Sequence, residues 1–94
     1  MNKYEALYII NPDLEETAKA FVEKFNGVIT TNGGTIDSCD EWGKRRLAYP
    51  INFKSDGYFV LVKFTGPSAL PLELERNFKI TDGILRYLVT RLEA

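Results

Sequence analysis

Apolar and polar positions change rhythm along the chain, and each change marks an element. Between Lys3 and Asn11, Tyr4, Ala6, Tyr8 and Ile10 share one parity, while Glu5, Leu7 and Ile9 share the other. Apolar groups on both parities predict a central strand, which Pro12 ends. From Leu14 to Thr31 the rhythm is helical: Ala18, Phe21, Val22, Phe25, Val28 and Ile29 form one stripe. Glu15 and Glu16 fall in its first turn, and Asn32-Gly33-Gly34 supplies the stop. Thr35–Tyr49 reads as an irregular strand. Its apolar Ile36 and Cys39 have opposite parity, Leu47 and Tyr49 follow Cys39, and Gly43 between them predicts a bulge. Asn52–Gly57 reads as a loop with an Asp-Gly turn. Tyr58–Thr65 alternates strongly. Ser68 is the expected cap of a second helix with Pro71 in its first turn and Leu70, Leu74 and Phe78 as its buried stripe. Ile84–Leu92 alternates again as a last strand.

The resulting order, βαββαβ, predicts one α+β domain over residues 1–94. With right-handed crossovers the leading topology is ferredoxin-like: a four-stranded antiparallel sheet with two helices on one face. The first and third strands are then central. The other sheet face has no helix over it. By parity it carries Glu5, Leu7, Ile9, Phe59, Leu61, Lys63, Arg86, Leu88 and Thr90. A face left to water alone would alternate to polar residues. This one keeps large apolar side chains between cations, which predicts an interaction surface.

Composition narrows the chemistry. The chain has 94 residues and a net charge of −1. It has no histidine, so the commonest general base and transition-metal ligand are missing. Cys39 is the single cysteine, which rules out an internal disulfide and makes a reducing cytoplasm the default. No apolar run is long enough to span a bilayer, and the N-terminus lacks a signal-peptide layout. No cofactor, metal or small-molecule substrate is expected.

Charge distribution says more than the sum. Three successive cations, Lys44, Arg45 and Arg46, sit in the second strand of a slightly acidic chain. Two readings stand side by side. Guanidinium forks match phosphate oxygens, and edge charges also block sheet-to-sheet aggregation. Asp37, Asp40 and Glu41 read as solvated edge charge. Cys39 reads as a small buried apolar residue with no histidine to activate it. Gly33-Gly34 follow a helix, the reverse of the order an anion site needs. Most aromatics fall on the inward face, leaving Phe59 as the one stacking candidate for a nucleobase.

Four motifs carry a family resemblance: Lys3-Tyr4-Glu5 through Asn11-Pro12, the ten contiguous residues WGKRRLAYPI at Trp42–Ile51, Gly57-Tyr58-Phe59, and FKITDGILRYL at Phe78–Leu88. With these, the chain resembles the ribosomal protein S-six family of the bacterial small subunit over essentially its whole length. The resemblance implies the ferredoxin-like fold, a structural and non-enzymatic role on the cytoplasmic ribosome, and binding to small-subunit ribosomal RNA together with ribosomal protein S-eighteen. It makes Lys3, Lys44, Arg45, Arg46, Tyr49, Arg86 and Arg91 the candidate RNA contacts. Leu7, Ile9, Phe59, Leu61, Lys63 and Leu88 become the candidate partner contacts. Other classes on the same fold are an acylphosphatase-like hydrolase and a ligand-binding module that dimerises through its sheet. The hydrolase would need an anion-cradling loop with an arginine after the first strand, where this chain has Asn11-Pro12-Asp13.

Overall fold

The computed structural model describes residues 2–51 and 54–92, with the side chains of 15, 48–51 and 54 excepted. The elements are β1 (Asn2–Ile10), a 3-10 segment (Pro12–Thr17), α1 (Ala18–Thr31), β2 (Thr35–Ile51), β3 (Lys54–Gly66), α2 (Leu70–Ile80) and β4 (Ile84–Leu92). The strands form one antiparallel sheet in the order β2-β3-β1-β4. This is the expected ferredoxin-like arrangement, with β1 and β3 central.

Both helices cover the sheet face that carries Tyr4, Ala6, Tyr8, Ile10, Val60, Val62 and Phe64. Ala18, Val22, Phe25 and Ile29 of α1 and Leu70, Leu74 and Phe78 of α2 complete that core. Its centre is aromatic. The Tyr8, Phe25 and Phe78 rings meet pairwise at centroid distances of 4.5–5.1 Å, and Tyr87 adds to the group from β4. Tilted and edge-on ring pairs at such distances add to the burial energy of each ring.

The first helix begins later than its stripe suggests. Pro12 offers no N–H, the Asp13 N–H is taken by Asn11 Oδ1 (3.0 Å), and the Leu14 N–H by the Asn11 carbonyl (2.9 Å). This Asx-type turn favours a tighter coil. Leu14 leaves helical geometry (φ −105°, ψ 19°), and Glu16 therefore precedes the α-helix instead of lying in its first turn. The end of α1 is as expected: the Gly34 N–H reaches the Ile29 carbonyl at 2.8 Å across Gly33, whose φ is +85°. In α2 the N-cap position is Ala69, not Ser68, and no side chain caps it.

The second and third strands depart furthest from expectation. Asp56 and Gly57 are not a turn. They lie inside β3, paired with Arg46 and Arg45, and the hairpin continues to the Ile51–Lys54 pair. The connection between them, 52–53, lies outside the described residues. Nor is there a single bulge. One register shift falls between Ile36 and Ser38, and it places both Ile36 and Cys39 against core-facing residues of β3, Phe64 and Val62. A second falls between Glu41 and Gly43 (φ +81°). This one turns Leu47 to the open face, opposite to Cys39, because an extra residue inverts the alternation that follows it. A third shift, between Arg46 and Ile51, brackets Pro50, which has no N–H for the ladder.

Candidate interaction surface on the open sheet face

The open face is laid out in rows set by the strand register. Leu61, Leu7 and Leu88 form the central row, from β3, β1 and β4. Phe59, Ile9 and Arg86 lie on one side of it, and Lys63, Glu5 and Thr90 on the other. An apolar band therefore crosses the sheet with a cation in each flanking row. Leu88 is 61% exposed and Trp42 42% exposed, both high for large apolar side chains. A shallow depression of about 370 Å³ is lined by Leu7, Ile9, Arg86, Tyr87 and Leu88.

Trp42 is the contributor that parity reading missed. It occupies the bulge before Gly43, and its ring stacks on Phe59 with centroids 6.2 Å apart and planes 12° from parallel. Positive-φ glycine one residue on was the available signal, but parity alone does not say which way a bulged side chain turns.

The candidate partner contacts divide by depth. Leu7, Phe59 and Leu61 are half-buried, whereas Lys63 and Leu88 are exposed. Ile9 is only 8% exposed, because its side chain fills the space left by Gly57. It floors the surface more than it offers contact area.

The candidate RNA contacts divide by side. Lys3 and Arg86 share the open face with Arg45, which stands opposite Gly57. Lys44 pairs with Tyr58, Arg46 with Asp56 and Arg91 with Tyr4, so these three take the helix-side parity, at the ends and edges of the sheet. Arg91 donates to Asn2 Oδ1 at 2.9 Å. The Arg45 guanidinium lies over the Trp42 ring, 5.6 Å from its centroid. Among the described residues no carboxylate forms an ion pair with Arg45 or Arg46. The Tyr49 side chain is outside the described residues.

The remaining polar groups have local roles. Asp37 accepts a hydrogen bond from the Thr65 hydroxyl (2.6 Å), and Glu41 accepts one from Tyr58 (3.1 Å). Burial pushes the Cys39 thiol above its ordinary value, with Asn26 Nδ2 nearby at 3.9 Å, so it is a poor thiolate. Glu73 is held below the usual carboxylate range by Arg76. The Asn11-Pro12-Asp13 loop cannot cradle phosphate through its amides. The Asn11 N–H donates to the Gly83 carbonyl at 2.7 Å, those of Asp13 and Leu14 fold back on Asn11, and Pro12 has none. Among the described residues, no helix is long and apolar enough to cross a membrane.

Comparison with known proteins shows the family and the fold of the chain. Residues 3–91 match the family model for Ribosomal protein S6. The small ribosomal subunit protein bS6 of Clostridium novyi is 52% identical over 94 residues, covering 99% of each chain. That of Thermoanaerobacter pseudethanolicus shows the same identity and coverage. The crystal structure of 30S ribosomal protein S6 from Thermotoga maritima superposes with a TM-score of 0.93 at 29% identity, covering 97% of this chain and 87% of that one. The C-terminal domain of the MgtC protein from Mycobacterium tuberculosis has a TM-score of 0.62 at 11% identity, covering 99% of this chain and 89% of that one, a likeness of fold alone. By sequence and by fold, the chain belongs to the ribosomal protein S6 family, whose members are structural proteins of the ribosome and not enzymes.

Proposed function

We propose that this protein is built into the small ribosomal subunit on the cytoplasmic ribosome, where it binds ribosomal RNA as a heterodimer with ribosomal protein S-eighteen. The observation that carries this reading is the open sheet face: an apolar band through Leu61, Leu7 and Leu88, flanked by Arg86, Lys63 and the Arg45–Trp42 pair. A net charge of −1 is low for a protein that grips RNA unaided. A heterodimer resolves this, because the partner supplies further cations and the apolar band supplies the contact. The apolar residues dock S-eighteen. The exposed cations at Lys3, Lys44, Arg45, Arg46 and Arg86, with Arg91 at the end of β4, meet phosphate along the rim.

Salt dependence tests the RNA half. Each lost phosphate contact shallows the dependence of log affinity on log salt by about 0.7–0.9. Arg45→Ala and Arg46→Ala together should weaken binding of the heterodimer to full-length small-subunit RNA and reduce the slope by one to two such steps. An unchanged slope would mean that these arginines only guard the sheet edge. Sizing the protein with and without S-eighteen tests the other half, with a one-to-one complex expected.

A further inference from the structure

Three features of β2 converge on one residue. In a regular strand, side chains three apart point to opposite faces. Trp42 and Arg45 are three apart, yet both lie on the open face, because the register shift at Gly43 inserts an extra residue between them. The indole rests on Phe59 with nearly parallel planes. The guanidinium rests over the indole at 5.6 Å. The column Phe59–Trp42–Arg45 thus rises from the sheet floor and ends in a cation, and among the described residues no carboxylate is ion-paired with that cation.

We infer that Trp42 is a positioning residue: it holds the Arg45 guanidinium in place for an RNA phosphate. The inference rests on the RNA-binding reading above and deepens it. An arginine on an open surface samples many rotamers and loses that freedom when it binds. Stacking on an indole limits the freedom in advance and leaves the edge of the fork, where its N–H donors lie, turned to the ligand. Lysine at the same position keeps the charge but loses the flat contact.

The test is a double-mutant cycle on the heterodimer with S-eighteen, binding full-length small-subunit RNA. The variants are Trp42→Leu, Trp42→Phe, Arg45→Ala and the pair Trp42→Leu with Arg45→Ala. Arg45→Ala weakens binding. Trp42→Leu weakens it about two- to five-fold, the scale of an exposed cation–π contact, and adds nothing further in the Arg45→Ala background. Trp42→Phe recovers most of the loss. Because Trp42 is the only tryptophan, its fluorescence gives a readout in the unaltered indole background: adding RNA changes the emission of the wild-type protein and not that of Arg45→Ala. Wild-type affinity in Trp42→Leu, or a loss that adds in full to that of Arg45→Ala, overturns the positioning role and leaves the phosphate contact standing. Wild-type affinity in Arg45→Ala overturns both.

Discussion

Gly57 lies against Ile9 on the sheet face that has no helix. A Cβ built on Gly57 would run into the Ile9 γ2 methyl, with Leu47 and Phe59 each 3.5 Å away. Gly57→Ala should therefore cost about 1–3 kcal/mol, the usual range for overpacking. Gly27 is the control. It sits in α1 with nothing within 4 Å of its would-be Cβ, so Gly27→Ala should add about 0.5–1 kcal/mol. Urea unfolding of the two variants should give shifts of opposite sign.

Phe25 is fully buried between the Tyr8 and Phe78 rings. Phe25→Ala removes both ring contacts and opens a cavity, at a cost of about 3–5 kcal/mol. Denaturant midpoints read this directly. A loss below about 1 kcal/mol would mean that the aromatic centre collapses to fill the space.

Tyr8 places a buried hydroxyl in the core without a hydrogen-bond partner among the described residues. Burial, with Cys39 and Glu41 nearby, raises its pKa far above the ordinary tyrosine value. The folded state then keeps a proton that the unfolded chain has lost, so stability is level up to about pH 10 and falls above it by about 1.4 kcal/mol per pH unit. Tyr8→Phe removes an unpaired polar atom and should be at least as stable as wild type at neutral pH. It should also unfold at higher pH in an alkaline titration followed by circular dichroism. A Tyr8→Phe protein that is clearly less stable at pH 7 would show that the hydroxyl has a partner.

Leu88 stands across from Leu7 in the central apolar row and is largely exposed. Leu88→Asp should change stability by no more than about 0.5 kcal/mol, as for other surface positions. Complex formation with S-eighteen should nevertheless fall at least ten-fold in a titration followed by size exclusion. Full retention of the complex would move the docking surface off this row.

Much of the fold was legible because its long elements carry their period plainly. The α1 stripe from Ala18 to Ile29 and the alternation of β1, β3 and β4 each bury the residues that the pattern selects. Errors gathered where one local signal competed with pairing. Asp56-Gly57 carries turn chemistry, but the ladder to Arg45 and Arg46 holds it extended. Leu14 sits on the helical stripe, but the Asn11 turn uses up the donors around it. The open face was legible as a set of strand parities in β1, β3 and β4. In β2 the alternation breaks at Asp37 and Trp42, so the faces of Trp42 and Leu47 could not be counted from the sequence. Ile9 was expected as contact area and proved to be floor, because Gly57 beside it has no side chain.

The irregularity at Gly43 ties backbone geometry to surface chemistry. Keep every residue but flatten the bulge, hold the ladder beyond it in register, and Trp42 falls opposite Val60, no longer on the same side as Arg45. The indole would be carried over to the helix side while the guanidinium stayed where it is, and the column would come apart with no change in net charge. Relatives that keep the aromatic and the arginine three apart should therefore keep the positive-φ glycine between them, a correlation that aligned sequences would reveal at once.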